Sequence, residues 1–425
     1  MSVSDDAVRA FPALLVGFLA AMLVAMALTP LVRRYARLYR MVDRPEARRV
    51  NTRVVARGGG IAIAIGFISV SVALLTLNLG GHWVDRPDGV SGLEMTALLL
   101  GGALAVGIGL LDDLFQLRAR YQLLGQIALA VFALAFGIQV RVINVPVISD
   151  GTLQLTGGLT ALAVLATLIW IVGMLNSINF IDGLDGLSTG IALIAAITLG
   201  TISLVGNPEQ PYVALFCFIL AGALAGFLRW NFHPATVFSG TSGIMFVGYT
   251  LAVLSILGAA KVAVAALVLG VPIMDTFWII VRRVGSGRSP FAPDRGHIHH
   301  RLLDLGLSHR DTVLVIYAAC VLLAGLSLVL SGTGQMYAFL GLVLLFGLAL
   351  LFIERLGPGG EAIGESLDAD SYDDNHPGET IGHAGSGGGG NGAASGNGGA
   401  NGNAGVDANG QKGASLEDAT GRLVK

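Results

Sequence analysis

An all-α polytopic membrane protein, with about eleven transmembrane helices and its active-site loops gathered on the cytoplasmic side, is the fold class this sequence predicts. Three observations carry it. Hydrophobic residues make up 54% of the 425 and charged residues only 13%, against about 25% charged in a soluble globular chain. Apolar stretches of about twenty residues recur, the length at which a helix crosses a bilayer. The basic residues are very unevenly shared between successive loops.

Taken in order, the apolar spans are Phe11–Val32, Ile61–Leu79, Leu93–Leu111, Tyr121–Val140, Leu159–Leu175, Leu187–Val205, Tyr212–Leu228, Val237–Leu257, Val262–Val281, Thr312–Leu330 and Gln335–Ile353. An odd number puts the termini on opposite sides. Of the 26 Lys and Arg residues, nine lie between the first and second spans (Arg33, Arg34, Arg37, Arg40, Arg44, Arg48, Arg49, Arg53, Arg57), and six follow the ninth (Arg282, Arg283, Arg288, Arg295, Arg301, Arg310). Arg118, Arg120 and Arg229 belong to the same set of loops, whereas the opposite set holds only Arg9, Arg86, Arg141 and Lys261. The positive-inside rule therefore predicts an N-terminus outside, a cytoplasmic C-terminus and a multi-pass plasma-membrane location.

Two domains of different material follow from composition: a transmembrane domain over 1–356 and a Gly/Asn-rich tail over 357–425, which lacks the apolar content to offset the entropy of ordering and is expected to be disordered. Net charge is −2, so bulk charge gives no reason to expect a nucleic-acid partner. Cys217 and Cys320 both lie inside apolar spans, which argues against a disulfide framework. The first span follows Asp5-Asp6 and runs into Arg33-Arg34, unlike a cleavable signal peptide.

Four polar clusters occupy the positively flanked side. They are Asp112-Asp113; Asn176-Ser-Ile-Asn179-Phe-Ile-Asp182-Gly-Leu-Asp185-Gly; Arg229-Trp-Asn-Phe-His233-Pro with Phe238-Ser-Gly-Thr241-Ser-Gly243; and Asp294-Arg295-Gly-His297-Ile-His299-His300-Arg301. A charge in a membrane span costs about 2.5–3.5 kcal/mol at the midplane. Any one Asp is equally readable as a solvated helix cap. Four carboxylates on one side repel one another unless a cation is shared, and Mg²⁺ is oxygen-liganded. The polar residues of the second cluster recur every three positions, so an ideal helix turns Asn176 and Asp185 apart; Gly183 and Gly186 permit a departure that brings the row together. The histidine cluster lacks the Cys and the firm spacing of a zinc site and better suits an anionic, phosphate-bearing ligand; a basic loop meeting lipid headgroups is its plainer reading. Together these features point to phosphoryl chemistry on a lipid.

In this order the motifs resemble the polyprenyl-phosphate N-acetylhexosamine-1-phosphate transferase family, over roughly Pro30 to Ile353. The matching residues are Asp112-Asp113, the Asn176…Asn179…Asp182-Gly-Leu-Asp185-Gly-Leu187 run and Asp294-Arg-Gly-His297-Ile-His299-His300. The His-Ile-His-His form is similar to the N-acetylglucosamine-1-phosphate branch. The resemblance implies transfer of a sugar-1-phosphate from a UDP-N-acetylhexosamine to a polyprenyl phosphate (undecaprenyl or decaprenyl), with UMP released and a cell-envelope glycan begun. It implies dependence on Mg²⁺ or Mn²⁺. By the same resemblance Asp112 or Asp113 orients or deprotonates the lipid phosphate, and Asp182 and Asp185, with Asn176 and Asn179, hold nucleotide and metal. Asn179, Asp112 and Asp185 are then the metal ligands, while Arg295, His297, His299 and His300 bind the diphosphate or sugar. A covalent phospho-Asp route stays open, and a homodimer is among the assemblies open to the chain.

One departure stands out. Where the family pattern reads Phe-Met-Gly-Asp-x-Gly-Ser, with the Asp a metal ligand, this chain reads Phe238-Ser-Gly240-Thr241-Ser-Gly243-Ile244. Thr241 is a neutral hydroxyl in a carboxylate's place. The alternatives are a paralogue that binds polyprenyl phosphate without catalysis and, less in keeping with carboxylates at span ends and no internal repeat, a lipid transporter.

Overall fold

The computed structural model describes residues 5–43, 54–81, 84, 90–144, 152–206, 209–258, 262–285, 287, 297–330 and 333–356. The tail from 357 and residues Asp294 and Arg295 lie outside the described residues. The described chain is almost entirely helical: α1 (Asp5–Leu38), α2 (Gly60–Gly81), α3 (Gly92–Phe115), α4 (Ala119–Ala135), α5 (Thr160–Ile181), α6 (Leu187–Val205), α7 (Pro211–Asn231), α8 (Gly240–Leu257), α9 (Val262–Val268), α10 (Gly270–Gly285), α11 (Ile298–Asp304), α12 (His309–Val329) and α13 (Thr333–Leu356). Two short antiparallel ribbons accompany them, β1 (Val42–Asp43) with β2 (Val55–Ala56), and β3 (Val142–Asn144) with β4 (Thr152–Gln154).

The helix starts are written locally. Ser91 and Glu94 form a reciprocal capping box on α3, Pro211 opens α7, and the Ser308 hydroxyl accepts the Asp311 N–H on α12. Helix faces pack through small residues. Ala10, Gly17, Ala21 and Ala25 line the inner face of α1, and on α7 a Cβ at Gly222 or Gly226 would strike the backbone carbonyls of Phe18 or Met22. Lipid tails are as apolar as the helices, so close backbone approach of this kind, rather than burial from water, supplies the association energy.

Helix α8 is the axis of the bundle: every residue from Gly240 to Ser255 is buried. Its apolar character all round fits a helix enclosed by others. Large apolar side chains on the outer helices, Val8, Leu23, Leu124, Ile169 and Leu322 among them, are exposed, as a lipid-facing surface requires.

Among the described residues eight helices are long and apolar enough to cross a membrane, or nine if α9 and α10 count as one broken span. The chain is therefore a multi-pass all-α membrane protein; eight or nine spans are recognised among the described residues, and the expected count of eleven is not confirmed. The reasons are local. Helix α4 stops at 17 residues because Gly137, at φ 92°, closes a left-handed C-terminal cap in which Ile138 N–H bonds Ala133 C=O. The ninth span bends by 78° between Val268 and Gly270, just before Pro272, which is tolerated only in a helix's first turn.

Candidate active site

The site is assembled at one end of the bundle from the C-terminal ends of α3, α5 and α7 and the N-terminal ends of α6, α8 and α12. Asp112 and Asp113, both buried, lie in the last turn of α3. Asp113 Oδ1 and Oδ2 accept the backbone N–H groups of Thr241 (2.8 Å) and Ser242 (3.0 Å). These are two of the free amides at the start of α8, and the positive end of the helix dipole suits a carboxylate there. The residue that would ordinarily cap α8, Ser239, makes no side-chain cap; its hydroxyl donates instead to Asp182 Oδ2 at 3.0 Å. Asp113 thus caps a helix distant in sequence, and Gly240, at φ 69°, leaves room for it: a Cβ there would lie 2.6 Å from Asp113 Oδ2.

Asp112 is held by α4 and α8. Its Oδ1 accepts from Leu117 N–H (2.9 Å) and Gln122 Nε2 (2.8 Å), and its Oδ2 from the Thr241 hydroxyl at 2.6 Å. A second carboxylate at 241 would set two anionic oxygens at hydrogen-bond distance, which requires a shared proton or a cation. The hydroxyl satisfies Asp112 with neither.

The turn between α5 and α6 carries Asp182 and Asp185. Helix α5 runs through Asn176 and Asn179 and ends at Ile181; Gly186, at φ 80°, starts α6, and its carbonyl accepts the Tyr317 hydroxyl of α12 at 2.5 Å. Asp182 Oδ1 accepts a short bond from the Ser188 hydroxyl. Burial pushes the Asp182 carboxyl up to about 6; the Ser188 and Ser239 hydroxyls and the Arg57 charge oppose this, and Asp113 adds to it. Asp185 Oδ2 meets His233 Nδ1 (2.8 Å) and accepts Ala235 N–H (3.0 Å), while Asp185 N–H donates to His309 Nε2 (2.9 Å). The His233 and His309 rings stack with centroids 4.2 Å apart.

On α10, buried Asp275 binds His297 Nδ1 at 2.7 Å and the Ile298 N–H at 2.8 Å, orienting the ring and capping α11 with one carboxylate. His299 is 1% exposed, its Nδ1 has no partner, and Gly183 of the α5–α6 turn lies against its Nε2. Burial, then the charges of His300, His297 and His309, lower its pKa to about 3, so it acts as a neutral imidazole. Rings 297 and 299 stack at 5.4 Å, and 299 and 300 lie 4.4 Å apart.

All four sequence clusters therefore touch: the first meets the third at Thr241, the second meets the third through Asp182 and Asp185, and the fourth meets the second at Gly183. Asn176 is turned toward α4, where its Nδ2 donates to Gln126 Oε1 at 2.7 Å. The Asn179 side chain and Asp185 Oδ1 have no hydrogen bond among the described residues. Sequence reasoning missed Gln122, Gln126, Asp275 and His309. Asp275 carried a usable signal, a carboxylate inside an apolar span; the two glutamines sit one helical turn apart on an apolar helix, which is a weaker one.

Membrane helices thus gather carboxylates, amides and imidazoles from four motifs at one end of the bundle, and the comparisons give the class of protein in which such a set is found. Residues 95–259 match the model described as glycosyl transferase family 4. The chain is 34% identical over 310 residues to the Bacillus subtilis protein named "Probable undecaprenyl-phosphate N-acetylglucosaminyl 1-phosphate transferase", covering 72% of this chain and 81% of that one. It is 33% identical to the Mycolicibacterium smegmatis decaprenyl-phosphate N-acetylglucosaminephosphotransferase, covering 81% and 90%, and 25% identical to an Escherichia coli K12 undecaprenyl-phosphate alpha-N-acetylglucosaminyl 1-phosphate transferase, covering 69% and 77%. The chain belongs to the polyprenyl-phosphate N-acetylhexosamine-1-phosphate transferase family.

Proposed function

We propose that the protein transfers N-acetylhexosamine-1-phosphate, GlcNAc-1-phosphate being the best fit, from a UDP-sugar to a polyprenyl phosphate on the cytoplasmic face of the plasma membrane, releasing UMP. The observation that carries this reading is the convergence of all four motifs on one end of the bundle. The names of the relatives support the substrate class.

The attacking phosphate monoester has a second pKa of about 6 and is already mostly dianionic at neutral pH. Positioning and charge neutralisation therefore matter more than strong base catalysis. In this reading Asp112 orients the lipid phosphate, and Asp113 fixes α8 beneath it. His297, held by Asp275 through Nδ1, presents Nε2 to the diphosphate or sugar; neutral His299 and its neighbour His300 complete that wall, and Arg295 is assigned to the same ligand by its sequence motif. Asp182 and Asn176 shape the nucleotide side.

Mg²⁺ or Mn²⁺ suits the oxygen donors here, and Asn179, Asp112 and Asp185 would hold it. Among the described residues Asp185 Oδ1 and the Asn179 side chain carry no hydrogen bond, which leaves them open to ligation; Asp112 would give up bonds it now makes. Such an ion would screen the repulsion between the anionic lipid and the diphosphate. The Thr241 bond to Asp112 favours weak metal affinity, and it is also the observation that keeps a second reading in play, a lipid-binding paralogue without catalysis.

The test is UMP release by purified protein given undecaprenyl phosphate, UDP-GlcNAc and a Mg²⁺ titration. Lipid-dependent, metal-dependent release is expected, at high Mg²⁺. Silence at every Mg²⁺ and Mn²⁺ level, with release restored by Thr241→Asp, would establish the second reading instead.

A further inference from the structure

We propose that Asp185, through Oδ2 rather than the Oδ1 given the Mg²⁺ ligand role, forms with His233 and His309 a second binding site, for a borderline divalent cation of the Zn²⁺ class. Among the described residues these are the one set of three His, Cys, Asp or Glu side chains whose donor atoms all lie within 4.8 Å of one another. They come from three segments: the α5–α6 turn, the loop between α7 and α8, and the first residue of α12. Two imidazoles and a carboxylate are the donor mix of three-ligand zinc sites that keep a fourth position open. It is a poor set for Mg²⁺, which prefers oxygen and its own waters.

The geometry is close to what ligation needs. Zinc bonds of about 2.0–2.1 Å arranged tetrahedrally bring ligand atoms to about 3.3 Å from one another. Asp185 Oδ2 and His233 Nδ1 are already 2.8 Å apart, held by a hydrogen bond that the ion would replace. His309 Nε2 accepts the Asp185 N–H at 2.9 Å, so that nitrogen carries no proton, as a ligand nitrogen must not; a cation would take over the lone pair the amide now uses. The remaining adjustment falls on His233, the most exposed of the three, with 40% of its side chain open to solvent. Its exposed side is also where a water or an anionic oxygen would fill the fourth position.

An ion here would tie the three segments together. The proposal does not rest on transferase activity, and its test reads binding alone. Purified full-length protein is stripped with chelator, equilibrated with Zn²⁺ in excess Mg²⁺, passed over a desalting column and assayed for metal. Histidines elsewhere, including His376 and His383, add a background, so the quantity read is a difference. The His233→Gln, His309→Gln double variant is expected to retain one Zn²⁺ fewer per chain than the natural sequence. Equal retention by variant and natural protein overturns the site, which is then a hydrogen-bonded network only. A second measurement avoids variants that fail to fold: modification of His233 in the natural protein by diethyl pyrocarbonate, followed by peptide mass spectrometry. Protection of His233 by Zn²⁺ but not by Mg²⁺ is expected, and equal modification with and without Zn²⁺ overturns the proposal.

Discussion

Around Asp112, Asp113 and Asp182, each of the six carboxylate oxygens accepts a hydrogen bond from the protein; across the same site, Asp185 Oδ1, the Asn179 side chain and His299 Nδ1 accept none. The first group is tied to α4, α6 and α8 and braces the bundle. The second has coordination left over for a ligand. Buried carboxylates are expensive to leave unpaired, and Asp112 and Asp113, nearest the core, have been satisfied by the fold. The capacity to bind something else is pushed toward the α5–α6 turn and the histidines.

Several substitutions would break or sharpen that contrast. The largest effect is expected from Asp112→Asn, which removes the charge while keeping the shape; UMP release should fall about 10²–10³-fold, the range for loss of one group that positions or stabilises the reacting phosphates. A fall under tenfold would make Asp112 a brace like Asp113. Asp113→Asn should cost about 1–3 kcal/mol in stability, read in a detergent melt, because one of two buried amides of α8 loses its acceptor. Asp275→Asn should leave the melt less affected and act on substrate affinity. It weakens the hold on His297 Nδ1, so KM for the UDP-sugar should rise more than kcat falls, and the His297 ring resonances should shift.

The smallest effects concern pH, and the two halves should oppose each other. The Asp182 carboxyl is raised from 3.8 to about 6 by burial, so the folded state binds its proton more tightly than the unfolded chain does. That contribution is full below about pH 4 and is lost as pH rises through 6. The His299 imidazole is lowered from 6.5 to about 3. Its contribution is full above about pH 6.5 and is lost as pH falls toward 3. Asp182→Asn should therefore make acid destabilisation between pH 6 and 4 steeper, and His299→Asn should make it shallower, in melts recorded across that range. Unchanged slopes would mean that the two side chains titrate as they do in an open chain.

The mixture of what was and was not legible follows from range. Span positions, the polar clusters and their gathering on one side depend on local hydrophobicity, loop charge and spacing, all written along the chain. Asp112-Asp113 and the Asn176–Asp185 run were readable because polar groups beside apolar spans are costly and conspicuous. Ending α4 at Gly137 was in principle readable too, yet the apolar run through Val140 concealed it.

By itself, then, the sequence determined a helical membrane protein, its family and the polar clusters that meet at its site, though not their partners Gln122, Gln126, Asp275 and His309. Only the tertiary structure decided which carboxylates brace the fold and which remain free to bind. Asp113 caps α8 from 128 residues away, Thr241 donates to Asp112 across 129, and His309 reaches Asp185 across 124. A hydrogen bond is set by direction and by distances of about 3 Å, and neither is fixed until helices distant in sequence have packed.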